Sequence, residues 1–176
     1  QGGTVVVPHM PTPNCELAAL LATSRVDGLE MTRHEMYVHS EYYRYLNAGY
    51  RVPLVGGTDK MSADVPVGIY RTYVYIPPEE EFTYENWCLN LRRGRTVLSG
   101  GPILRFTVNG RMAGDTLALP GNGGTVEAAV EADSIFPIHS LEIVREGRVV
   151  ASTEEPRGAN RLQLKASLPV ERHSWL

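Results

Sequence analysis

Three ionisable residues carry the most chemical promise in this 176-residue chain: His9, Glu30 and Asp59. Each follows or ends a short apolar stretch, Val5-Val-Val, Gly28-Leu-Glu-Met31 and Val52-Pro-Leu-Val55 respectively. In parallel β/α architectures the C-terminal ends of strands form the rim on which reactive groups gather. Imidazole nitrogen with carboxylate oxygen suits zinc, manganese or iron, and a bound cation would relieve the repulsion between the two carboxylates. Taken singly, His9 is a loop histidine, Glu30 a solvent-facing strand residue and Asp59 a turn cap. Their matching positions favour a shared site.

Other candidates are weaker. His34 follows Glu30 closely enough to approach the same rim, while His39 falls inside a helical pattern. His139 and His173 belong to a β-rich region and read as structural or exposed. Arg71, in Tyr70-Arg-Thr-Tyr73, is a candidate clamp for a substrate anion, with a salt bridge as the plainer reading. Lys60 beside Asp59 would either oppose a metal or receive an anionic substrate. No Gly-x-Ser-x-Gly elbow, Walker loop or Cys-x-x-Cys pair occurs.

The elements needed to position these residues are visible as periodicities. Val5 to Val7 predicts a short buried strand, and Asn14 would cap a helix over Glu16 to Thr23 with Leu17, Leu20 and Leu21 on one face. Gly28 to Met31 predicts a second strand. Val38, Tyr42, Tyr45 and Leu46 mark one face of a helix over Glu35 to Ala48, stopped by Gly49. Val52 to Val55 predicts the third strand, and Ile69 to Ile76 another. Thr83 then caps a helix carrying Trp87, Cys88 and Leu91, closed by Gly94.

From about Thr96 the period changes to two. Leu104, Phe106 and Val108 alternate with polar residues before Asn109-Gly110, and Val126, Ala128 and Val130 repeat the pattern. Leu141, Ile143 and Val149 flank Glu146-Gly147, and Leu162, Leu164 and Ala166 make a last strand. Short strands with glycine-rich turns predict a β-sandwich over residues 98–176, after an α/β region over residues 1–97, and an immunoglobulin-like sandwich is the form expected. The class expected is therefore α/β plus all-β.

Composition sets the outer bounds. A formal net charge of -3 and mixed charges offer no basic face for nucleic acid, and no apolar run is long enough for a membrane helix. Cys15 and Cys88 read as buried free thiols. Both chain ends read as those of a fragment of a longer, soluble protein. Its compartment stays open, secreted or periplasmic locations included.

The order of motifs Val5-Val-Val-Pro-His9, Val26-Asp-Gly-Leu-Glu30, Leu46-Asn-Ala-Gly-Tyr-Arg51, Gly57-Thr-Asp59, Gly68-Ile-Tyr-Arg-Thr-Tyr-Val74 and Gly94-Arg-Thr-Val-Leu-Ser-Gly-Gly-Pro102 resembles the C-terminal half of PHP (polymerase and histidinol phosphatase) metal-dependent hydrolases. The likeness is to the carbamate-hydrolase-like CehA/McbA branch, in which a β-sandwich follows the barrel. It implies the late units of a distorted β/α barrel, with a divalent metal (Zn, Mn or Fe) activating water against ester, phosphoester or carbamate substrates. It also implies ligand roles for His9 and Asp59, and for Glu30 at a family-typical acidic position. The family's last motif is Asp-x-His, whereas Met61 follows here, and a thioether is a poor ligand for such cations. The early ligands of the family would precede Gln1, so the segment alone is expected to be inactive and to bind metal weakly or not at all. The competing expectation is a non-catalytic binding or structural protein with a degenerate site and an immunoglobulin-like interaction module. Exposed strand edges would favour self-association.

Overall fold

A computed structural model describes residues 3–10, 16–31 and 39–176. Strand outweighs helix, and the chain divides into two units, Gln1–Gly100 and Gly101–Leu176. The division falls between Gly100 and Gly101, because the strand at Thr96 pairs back into the first unit.

The first unit runs β1 (Val6–Val7), α1 (Leu17–Ala22), β2 (Gly28–Glu30), α2 (His39–Asn47), β3 (Leu54–Val55), β4 (Arg71–Val74), α3 (Tyr84–Arg92) and β5 (Thr96–Ser99). Strands β1, β2 and β3 form a parallel sheet in sequence order, with Val7 opposite Leu29 and Leu29 opposite Leu54. The ladder extends past the strand ends, where Met10 N–H donates to the Glu30 carbonyl and Met31 N–H to that of Val55. This sheet is open; the described residues do not close a barrel. Its core is Val7, Met10, Leu17, Leu21, Leu29, Met31 and Val52, with Tyr42 and Tyr45 packed against it.

Helix α1 buries Leu17 and Leu21, one turn apart, as the pattern required. The expected cap Asn14 and the start of the second helix at Glu35 lie outside the described residues. Thr83 caps α3 by accepting a hydrogen bond from the Asn86 N–H at 3.1 Å. Antiparallel β4 and β5 make a separate pair, and Thr96 Oγ1 donates to the Leu54 carbonyl, tying β5 to β3. Fully buried Asn90 on α3 meets the Glu80 carboxylate through its amide nitrogen and the Arg95 guanidinium through its oxygen.

The second unit is one antiparallel sheet, β7-β6-β8-β9, built from β6 (Ile103–Val108), β7 (Arg111–Met112), β8 (Gly124–Arg145) and β9 (Arg148–Val170). The pieces expected as several short strands merge into the long pair β8 and β9. Val126, Ala128, Val130 and Ala132 point into the core while Glu127 and Glu131 point out, the alternation read from sequence. The turns Asn109-Gly110 and Glu146-Gly147 both take positive φ at two successive residues, the conformation that matches strand twist in a tight hairpin.

The long hairpin doubles back on itself. Residues 124–133 pair with 161–170, the register breaks between Asp133 and Ile138, and pairing then resumes up to Arg145 and Arg148. The far tip returns to the base: Arg145 Nη1 donates to the Pro169 carbonyl, and Arg172 pairs with Glu146 at 3.0 Å. Leu141 and Ile143 thereby join the core of Val126, Val130 and Leu168. Two layers arise from one hairpin. The bend, where Ile135 and Phe136 stand exposed, was not foreseen because alternation continues on either side of it.

Candidate functional site

Parallel strands in neighbouring register deliver their C-terminal ends to one place. His9 follows β1 by two residues, Glu30 ends β2, and Asp59 follows β3 by four. The structure brings all three together. His9 Nε2 lies 3.6 Å from Asp59 Oδ2, with the side chains 36% and 47% exposed. That separation is too long for a direct hydrogen bond, so the two are electrostatic neighbours. Glu30 Oε2 accepts the His9 backbone N–H at 3.1 Å. Its other oxygen faces Gly57, where an added Cβ would come within 3.0 Å of it. Gly57 therefore leaves the room that Glu30 occupies.

Both members of the close pair have left-handed backbones, His9 at φ 62° and Asp59 at φ 50°. For residues bearing a Cβ this conformation costs about 1 kcal/mol or more each, and it persists where surrounding contacts over-determine it. Around Asp59 those contacts are visible. Gly56 N–H donates to Thr72 Oγ1, whose hydroxyl returns a bond to the Gly56 carbonyl, both at 2.8 Å. Thr58 Oγ1 accepts the Gly68 N–H at 2.7 Å and donates to the Tyr70 carbonyl at 3.2 Å. Sequence reasoning passed over Thr58 and Thr72. For Thr58 the available signal was a β-branched hydroxyl directly beside a glycine pair and an acid; Thr72, between Arg71 and Tyr73, carries no such signal.

Two proposed substrate contacts are otherwise engaged. Lys60 Nζ donates to the Ser62 and Val65 carbonyls at 2.7 and 2.6 Å, inside its own loop. Arg71 Nη1 donates to the Gly68 carbonyl and Nε to the Tyr73 hydroxyl, with the guanidinium 5.7 Å from that ring's centroid. Both cations serve the loop after Asp59 in this arrangement. Met61 is 84% exposed.

Among the described residues the other histidines do not join the rim. His39 stacks on Tyr43 within α2, with ring centroids 6.0 Å apart, and His34 lies outside the described residues. His139 stands beside Gly158 in the second unit, and His173 is exposed there. Cys88 is a buried free thiol on α3, while Cys15 lies outside the described residues. A hydrogen bond to Cys88, one turn away, pushes the Tyr84 phenol up.

Chemically, the pair offers one imidazole nitrogen and one carboxylate oxygen, with a second carboxylate alongside. Two ligand atoms on one tetrahedral zinc are about 3.4 Å apart, so the 3.6 Å between His9 and Asp59 fits two adjacent ligand positions. Glu30 keeps one carboxylate oxygen on the His9 backbone N–H and its other oxygen toward Gly57. Among the described residues no group of three or more His, Cys, Asp or Glu side chains stands ready to hold a metal ion. Compared with protein-family models, curated proteins and solved structures, the chain matches none.

Proposed function

We propose that this chain carries part of a metal-dependent hydrolase of the PHP type, contributing late β/α units of a barrel followed by an immunoglobulin-like module. The observation that supports it is the meeting of His9 with Asp59 at the ends of adjacent parallel strands, 3.6 Å apart. On this reading His9 Nε2 and Asp59 Oδ2 would hold a divalent cation, zinc, manganese or iron. Such a cation, when bound, supplies a water of lowered pKa and polarises the ester, phosphoester or carbamate to be cleaved. Glu30 holds the His9 loop through its backbone N–H and adds negative charge that favours retention of the cation. Three open strands supply too few donors, so the remaining ligands would come from strands outside this set, and the segment alone would be inactive.

A second reading has its own support. With Met61 turned to solvent and only two donor atoms close together, the same rim would suit a non-catalytic protein with a degenerate site. Zinc calorimetry on this chain bears on both. The expected result is weak binding, lowered at least about tenfold by Asp59→Ala or His9→Ala because two-donor sites depend on each donor. Tight, stoichiometric zinc that both variants retain would overturn the ligand assignment. Metal analysis and a phosphoester and carboxylester screen on protein containing the missing strands would then separate enzyme from binding module: metal-dependent turnover lost in Asp59→Ala supports the hydrolase, and its absence sinks it.

A further inference from the structure

The loop that carries Asp59 is latched at its root and bridged by its own lysine. Thr58 joins the outgoing chain to the returning one, through the Gly68 N–H and the Tyr70 carbonyl. Lys60, itself exposed, places its ammonium on the Ser62 and Val65 carbonyls of a turn in which the Val65 N–H also donates to the Ser62 carbonyl. Asp59 lies between these two residues, in the left-handed conformation that points its carboxylate at His9. Without restraint a residue with a Cβ relaxes to negative φ, which would redirect that side chain. A charged donor on two carbonyls and a hydroxyl bonded on both sides supply the restraint, with bonds stronger than neutral loop contacts in the lysine's case.

We propose that Thr58 and Lys60 are positioning residues, which hold Asp59 against His9 by closing the loop on either side of it. Neither touches what the pair would bind. The inference rests on the His9–Asp59 geometry, and on the hydrolase reading only for what that geometry then serves. It also assigns Lys60 a role different from an anion clamp: its donors point into the loop.

The test reads the His9 imidazole directly. A carboxylate 3.6 Å from Nε2 favours the tautomer protonated there, by attraction between its charge and the N–H dipole. Histidine-selective nitrogen NMR on the metal-free chain, with His9 identified by His9→Gln, reports the tautomer ratio. Asp59→Ala is expected to raise the Nδ1-protonated fraction several-fold, and Thr58→Val and Lys60→Met to move it in the same direction. Thr58→Ser, which keeps the hydroxyl, is expected to retain the original ratio. Unchanged ratios in Thr58→Val and Lys60→Met, or a Thr58→Ser variant displaced as far as Thr58→Val, would overturn the proposal. If Thr58→Val fails to fold, Lys60→Met decides, since it removes contacts only from an exposed loop. Zinc titration of the same samples keeps the two readings apart. Shifted tautomers with no zinc response in any form would retain the positioning role independently of any zinc binding by this chain.

Discussion

The parallel sheet of the first unit pairs over two residues at each of its two interfaces, whereas β8 and β9 pair along nearly their whole length. The candidate site stands on the shorter ladder. Where backbone pairing is brief, side chains take over: Thr58, Lys60 and Thr72 close the turns after β3, and Glu30 clamps the loop after β1. In the second unit pairing is extensive on either side of the break after Asp133, and polar side chains mainly decorate the outer face, as where Arg105 and Arg161 both meet Glu131 and Asp133. Extended ladders give regularity. Short strands with latched loops allow the backbone departures at His9 and Asp59 that bring their side chains together.

The strongest way to break this contrast is through the cores. Leu29→Ala empties a fully buried position in the central strand of the parallel sheet and should cost about 3 kcal/mol. With so little pairing to absorb the loss, hydrogen exchange should accelerate at Met10 and Met31, whose N–H groups extend that sheet. Ile143→Ala should cost a similar about 3 kcal/mol in denaturant titration, with protection lost in the folded-back half of the hairpin before the half paired with β6. Equal loss of protection along the whole of β8 would show that the two layers do not open separately.

The bend offers a smaller perturbation. Gly158 has φ +73°, and a Cβ there would lie 2.6 Å from Pro137 Cβ and 2.9 Å from His139 Cε1. Gly158→Ala combines backbone strain with that clash and should cost about 2 kcal/mol, read as a lowered denaturation midpoint. If stability is unchanged, the hairpin does not need this glycine to double back.

The smallest effects concern two carboxylates, one in each unit. Glu80 is held below the ordinary carboxylate range first by its hydrogen bond from Asn90, then by Arg93 and Arg95. Glu131 is lowered first by its bond from Arg161, with Gln163 and Arg105 adding to it. A lowered folded-state pKa contributes stability that is present above the unfolded-state value and lost as pH falls through the folded one. Acidification should therefore weaken both regions below the ordinary carboxylate range. High salt should reduce the Glu131 effect more than the Glu80 effect, because ion pairing leads in one and a neutral amide in the other. Carbon NMR titration of the two carboxyls with and without salt checks this, and equal salt sensitivity would remove the distinction.

Local signals were legible wherever neighbours in sequence suffice. The α1 face with Leu17 and Leu21, the Thr83 cap, the Asn109-Gly110 and Glu146-Gly147 turns and the alternation through Val126 to Ala132 all follow from periodicity or from one residue's conformational preference. The nomination of His9, Glu30 and Asp59 also came from sequence, because strand-end position is a one-dimensional property. Their separation of 21 to 50 residues along the chain says nothing of whether they meet. Only the parallel register of β1, β2 and β3, together with the left-handed turns at His9 and Asp59, decided that they do. The employment of Lys60 and Arg71 within the loop, and the doubling back of β8 and β9, were likewise tertiary outcomes. A cation's partner and a strand's bend depend on which distant carbonyl or layer arrives beside it, and hydrophobic periodicity carries no record of that.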